Sequence, residues 1–152
     1  MIFRIVSFLI LNFSALYLGI ILSGQGGSSN WYSNLNRAPW EPDGWVFGAA
    51  WTIIMICFSI YMAQLSRKTD NKLSLFIYFT IQYILNISWN PVFFKYNFTL
   101  FGFIIIISLT VLVGYFLLRY LKDVKYYSIF LLPYFIWLII ASSLNGYICM
   151  YN

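Results

Sequence analysis

No histidine occurs in this chain of 152 residues, which carries only four carboxylates, two cysteines and four prolines. The missing histidine removes the commonest metal and haem ligand and the usual general base, so neither metal-dependent catalysis nor a bound cofactor is expected. Glu41, Asp43, Asp70 and Asp123 fall between the long apolar runs and form no intramembrane pair, which argues against ordinary acid–base enzymology. Cys57 and Cys149 have no paired spacing and read as small apolar packing residues rather than a disulfide or metal site. There is no phosphate-binding loop and no basic patch of nucleic-acid character. Nucleic acid is not an expected partner.

Charge is scarce as a whole. Charged residues make up 9% of the chain and hydrophobic ones 62%, against roughly a quarter charged in an ordinary soluble domain. A soluble fold of this size needs a polar surface that this composition does not supply, so lipid is the expected solvent. A bilayer core takes about 20 apolar residues per helix, and five such segments are present: about Ile2–Ser23, Gly44–Leu65, Leu73–Phe94, Phe98–Leu121 and Tyr126–Met150. Runs this long with short links favour helices over strands, and in lipid only a helix satisfies its own backbone. The expected fold is all-α, a five-transmembrane-helix bundle forming one domain over residues 1–152. Asn12, Ser14 and Tyr17 interrupt the first segment, which is also longer than a signal core. It is expected to be retained as the first span.

With five spans, one side of the membrane holds Arg4, Arg67, Lys68, Lys72, Arg119, Lys122 and Lys125, and the other only Arg37 and Lys95. The positive-inside bias then places the N-terminus in the cytoplasm and the C-terminus outside.

What the chain has in abundance is aromatic side chains, 22% of all residues, and four of its six tryptophans lie at Trp31, Trp40, Trp45 and Trp51. The first two sit in a long connection from about Gly24 to Asp43, flexible at Gly24, Gly26 and Gly27 and stiffened at Pro39 and Pro42. A loop of that length between short-linked helices is a lid, a binding element or disorder, and its aromatic content argues against disorder. Polar residues inside the helices tend to face the bundle interior. In the third segment Gln82, Asn86, Trp89, Asn90 and Phe93 share one helical face. Two readings compete. The amides simply bond neighbouring helices, contributing about 0.6–2 kcal/mol each, or Asn86 beside Trp89 orients a ligand on an aromatic wall. Pro91 removes a backbone donor there and is expected to kink the helix. In the fifth segment Trp137, Ala141, Leu144 and Asn145 share a face, with Pro133 one turn earlier. The small residues Ala141, Ser142, Ser143 and Gly146 suit close helix packing or room for a flat guest. The fourth segment has no polar stripe and reads as scaffold against lipid. A pocket of aromatics and a few amides fits a bulky apolar ligand.

Three blocks, spaced in order along the chain, carry a family resemblance. The first runs from Trp31-Tyr32-x-x-Leu35 through Arg37, Pro39-Trp40, Pro42 and Trp45 to Trp51-Thr52. The second is Asn86-x-x-Trp89-x-Pro91-x-Phe93-Phe94. The third is Pro133-Tyr134-x-x-Trp137-x-x-x-Ala141-x-x-Leu144-Asn145, with Asn152 beyond it. The chain resembles the TspO/MBR family, which includes the mitochondrial translocator protein (peripheral benzodiazepine receptor). It departs at the family's usual Lys-Pro of the first loop, here Arg37-Ala38, and at its paired prolines, here Pro42-Asp43.

The resemblance implies a homodimeric protein of the bacterial cytoplasmic membrane that binds porphyrins, protoporphyrin IX foremost, or another bulky apolar molecule. It implies ligand-binding roles for Trp31, Tyr32, Trp40, Trp51, Asn86, Trp89, Trp137 and Ala141. Transport, sensing and light-dependent porphyrin degradation are all associated with the family. In the last of these, Trp51 and Trp137 are the candidate catalytic residues.

Overall fold

The long apolar runs do become helices. The computed structural model describes residues Met1–Asn152 and contains helices and turns but no strand. In chain order the helices are α1 (Ile2–Leu22), the single turn α2 (Asn30–Ser33), α3 (Gly44–Lys68), α4 (Lys72–Asn90), α5 (Thr99–Arg119), the single turn α6 (Leu121–Val124) and α7 (Leu132–Tyr151). Four stretches, Ile2–Ser28, Gly44–Lys68, Thr99–Arg119 and Leu121–Tyr151, are long and apolar enough to cross a membrane. The chain is an integral membrane protein. The remaining long helix, α4, is diluted by Thr80, Gln82, Asn86, Ser88 and Asn90.

Helix ends follow local chemistry. Asn71 caps α4 by accepting a hydrogen bond from the Ser74 amide at 2.9 Å, and Ser29 caps α2 through the Tyr32 amide at 3.2 Å. Arg67 and Lys68 occupy the last turn of α3, where positive charge complements the carbonyl end of the helix dipole. Proline reshapes two segments. Beyond α4, residues Pro91–Lys95 form a π-helical turn closed by the Tyr96 amide on the Pro91 carbonyl at 3.0 Å. Pro91 has no N–H to continue the α ladder, so the widened turn takes up the break. The expected segment Tyr126–Met150 begins as tight 3-10 turns over Lys125–Leu131. Regular α-helix starts at Leu132, with Pro133 in the first turn, where a missing donor costs least.

The five long helices close into a ring. α1 packs on α3, α3 on α7, α7 on α5, α5 on α4, and α4 back on α1. Phe58 of α3 occupies the middle, fully buried, against Phe79 of α4, Phe116 of α5 and Tyr134 of α7. In lipid such contacts act through van der Waals packing rather than water exclusion. Polar bonds also span the ring. Gln82 Nε2 and Asn86 Nδ2 of α4 both donate to Tyr134 Oη, at 2.8 and 2.9 Å, and Trp89 Nε1 donates to Asn145 Oδ1 at 3.1 Å. On α5, Ile106, Leu109, Val113 and Phe116 are buried while Leu100, Phe101, Val111 and Leu118 are exposed. A largely apolar surface of that kind, with the Ser108 hydroxyl bonded to its own helix, suits lipid as solvent.

Candidate functional site

The long first connection folds back over one end of the ring. Gly24 and Gly26 take left-handed backbone, φ 69° and 55°, which a residue without Cβ adopts freely, and so turn the chain out of α1. The capped turn α2 then presents Trp31 and Tyr32 to the π-helical turn. Trp31 meets Phe93 edge-on with centroids 5.7 Å apart, and Tyr32 meets Phe94 at 5.2 Å. Trp89 stacks on Phe93 at 5.6 Å. Phe93 can sit there because Gly102 of α5 faces it: a Cβ at 102 would lie 2.8 Å from the Phe93 ring.

A small charged cluster stiffens the same loop. Tyr32 Oη and Arg37 Nη1 each donate to Glu41 Oε1 at 3.1 Å, and the Arg37 guanidinium lies 5.7 Å from the Tyr32 ring centroid. This is the protein's single ion pair. The second carboxylate oxygen of Glu41 is buried without a partner. Burial, and then the neighbouring Glu41 carboxylate, push the Tyr32 phenol well above its ordinary value, so it remains a donor at any physiological pH. Two further contacts latch the loop to α7. Trp40 Nε1 donates to Ser143 Oγ at 3.1 Å, with its ring edge-on to Tyr147. Asn152 brackets Asn36, accepting from its amide at 2.8 Å and donating to its carbonyl at 3.2 Å.

Beneath the loop lies a cavity of about 1080 Å³, just above the roughly 300–1,000 Å³ typical of small-molecule sites. Leu16 and Ile20 of α1, Phe47 and Trp51 of α3, Trp89 at the end of α4 and Phe94 of the π-helical turn wall it; Tyr32, Arg37 and Glu41 belong to its roof. Of the residues singled out from sequence, Tyr32, Trp51 and Trp89 come together on this cavity. The others lie around it. Trp31 packs on Phe93, and Trp40 sits at the α7 latch. Trp137 is buried behind Phe47, centroids 5.3 Å apart. Asn86 is buried and committed to Tyr134. Ala141 is buried, and its carbonyl accepts from Asn145 Nδ2 at 2.9 Å.

Sequence reasoning passed over Phe47, Leu16 and Ile20. Phe47 precedes Trp51 by one helical turn and shares its face, a signal that was available. Leu16 and Ile20 share the same spacing, but only the packing of α1 turns them toward the cavity. Arg37 and Glu41, opposite charges four apart, were likewise legible as a pair.

The sequence profile of the TspO/MBR family matches residues 7–151. The chain belongs to the TspO/MBR family. Relatives of this TspO/MBR chain include the tryptophan-rich protein TspO of Chlorobaculum tepidum, 30% identical over 150 residues that cover 91% of this chain and 94% of the relative. The tryptophan-rich protein TspO of Archaeoglobus fulgidus is also 30% identical, over 152 residues covering 94% and 98%. A tryptophan-rich sensory protein of Cereibacter sphaeroides is 27% identical over 115 residues, 76% of this chain and 72% of the relative. In this member, Arg37 ties Glu41 to the roof of the cavity.

Proposed function

We propose that this TspO/MBR protein binds porphyrins of the protoporphyrin IX type, or another bulky apolar molecule, beneath its first loop, acting as sensor, scavenger or carrier. The observation that carries the reading is the cavity itself. It brings Trp51, Trp89 and Phe47 together under a roof that carries Arg37, paired with Glu41. Aromatic walls suit the plane of a macrocycle, and Arg37 can meet an acidic side group at its edge by exchanging its bond to Glu41. The Cereibacter sphaeroides relative is named as a sensory protein, in keeping with a sensory role.

Titration of the purified protein in detergent with protoporphyrin IX in the dark tests this. Saturable quenching of tryptophan fluorescence at one site per chain is expected, weakened about tenfold or more by Trp51→Ala. Quenching that never saturates, or that Trp51→Ala leaves unchanged, overturns it.

A second reading is enzyme-like porphyrin breakdown driven by light and oxygen, with Trp51 and Trp137 as the reactive indoles. The position of Trp51 on the cavity wall supports it.

The same proposal includes five spans. At 1.5 Å per residue α4 extends about 28 Å, close to a bilayer core. It is flanked in the ring by α1 and α5, turns Gln82, Asn86 and Trp89 inward, and leaves Phe76, Ile77, Ile81 and Ile84 exposed. The cation split then favours the N-terminus inside and the loop outside. A homodimer, expected from family resemblance, completes the reading.

A further inference from the structure

At the end of the ring opposite the loop, a second cavity of about 600 Å³ opens between α1, α3 and α4. Its walls are Phe8, Leu11, Met62, Leu75, Phe76 and Phe79. The hydroxyls along it are already satisfied by protein: Thr80 Oγ1 donates to the Phe76 carbonyl at 2.8 Å, and Tyr83 Oη pairs with Ser14 Oγ at 2.9 Å. The groove is therefore dry in character and suits hydrocarbon. Its mouth is different. Arg4 Nη1 donates to the Ser66 carbonyl at 3.0 Å and to Ser66 Oγ at 3.1 Å. Lys72 Nζ donates to the same carbonyl at 2.7 Å and also to the Thr69 carbonyl.

Sharing one acceptor holds the two cations within about 6 Å of each other, where like charges repel. Neither has a carboxylate partner, since the protein's single ion pair is Arg37–Glu41. The remaining guanidinium nitrogens of Arg4 have no protein acceptor. An anion placed between the two would relieve the repulsion, and a phosphodiester offers oxygens matched to a guanidinium fork and to an ammonium.

We propose that this groove is a specific site for an anionic phospholipid, with the phosphate on Arg4 and Lys72 and an acyl chain along the apolar walls. The layout is that of an amphiphile: Arg4 and Lys72 lie in the first turn of α1 and α4, at the membrane boundary, and the apolar walls run inward from them. Basic pockets between helices at a membrane surface recognise acidic headgroups in this way. The site is lined by none of the residues of the cavity under the loop and stands independently of the porphyrin reading.

Native mass spectrometry of the full chain, released from detergent with equal phosphatidylglycerol and phosphatidylcholine of identical acyl chains, tests the assignment. The native protein is expected to retain phosphatidylglycerol at least fivefold over phosphatidylcholine. Arg4→Gln with Lys72→Gln should bring the ratio below twofold, while Lys122→Gln with Lys125→Gln, two cations outside the groove, should leave it unchanged. Thr80→Trp fills the groove without touching either cation and should lower the retained lipid at least threefold. It carries the test if the double charge variant fails to fold by circular dichroism. Equal retention of the two lipids, a preference that survives Arg4→Gln with Lys72→Gln, or undiminished lipid in folded Thr80→Trp would each overturn the proposal. So would displacement of the lipid by millimolar inorganic phosphate alone or by protoporphyrin IX.

Discussion

Tyr134 shows how a single atom organises this protein. Its buried hydroxyl accepts from both Gln82 and Asn86, so the amides that read from sequence as either helix glue or ligand contacts are engaged within the bundle. Tyr134→Phe leaves two buried donors without an acceptor and is expected to destabilise the protein by about 1–3 kcal/mol, read as a lowered midpoint of thermal unfolding in detergent. Protoporphyrin affinity of the folded variant should fall less than threefold, because neither amide lines the cavity. Loss of affinity with unchanged stability would instead make these residues ligand contacts. Trp51 faces the opposite test. Phenylalanine keeps an aromatic wall and removes the readily oxidised indole, so Trp51→Phe should slow light-driven bleaching of bound porphyrin at least threefold while dark affinity changes less than tenfold. Trp137, behind Phe47, should have the smaller effect. Equal bleaching at equal occupancy in both variants would leave a binding function alone.

At the level of elements, the π-helical turn and the first loop act as one unit, because Phe93 and Phe94 of the turn are the seat of Trp31 and Tyr32. Gly102→Ala would place a Cβ 2.8 Å from the Phe93 ring and 3.1 Å from its Cβ, backbone-proximal atoms that cannot swing away. A destabilisation of about 1–3 kcal/mol is expected from such overpacking, with loosening of the loop visible as faster amide exchange at Trp31 and Tyr32. Native-like exchange and stability would show that the turn simply shifts. The α7 latch is separable from that seat. Asn152→Ala together with Ser143→Ala removes its three polar bonds and should speed porphyrin dissociation about three- to tenfold by stopped flow, with little change in unfolding midpoint. An unchanged dissociation rate would mean that the loop does not gate the cavity.

For the molecule as a whole, orientation in the membrane is the property that charge alone should set. Ser33 and Asp70 are both exposed and belong to connections on opposite ends of the ring. With Cys57 and Cys149 replaced by serine, a cysteine at Ser33 should react with an impermeant maleimide from outside intact cells, and one at Asp70 only after lysis. Outside labelling at Asp70 would reverse the assignment.

Composition and hydropathy were enough for an all-helical membrane protein, because a chain with 9% charged residues has no polar surface to offer water. Four spans follow from length and apolarity. The polar residues that dilute α4 are the ones that sequence placed on an inward face, and Gln82, Asn86 and Trp89 are buried there. Family membership was legible in the Trp, Asn and Pro spacings of three blocks. Which of those residues meet at a cavity was not. Helical periodicity places Asn86 and Trp89 on one face, but only the packing of α7 decides that Tyr134 consumes the first while the second reaches the cavity wall. Likewise the ring order, which seats α1 beside α3 and α4, brings Leu16 and Ile20 to one cavity and Arg4 toward Lys72 at the other. Those are contacts between residues far apart in sequence, set by how whole helices pack, and no local pattern encodes them.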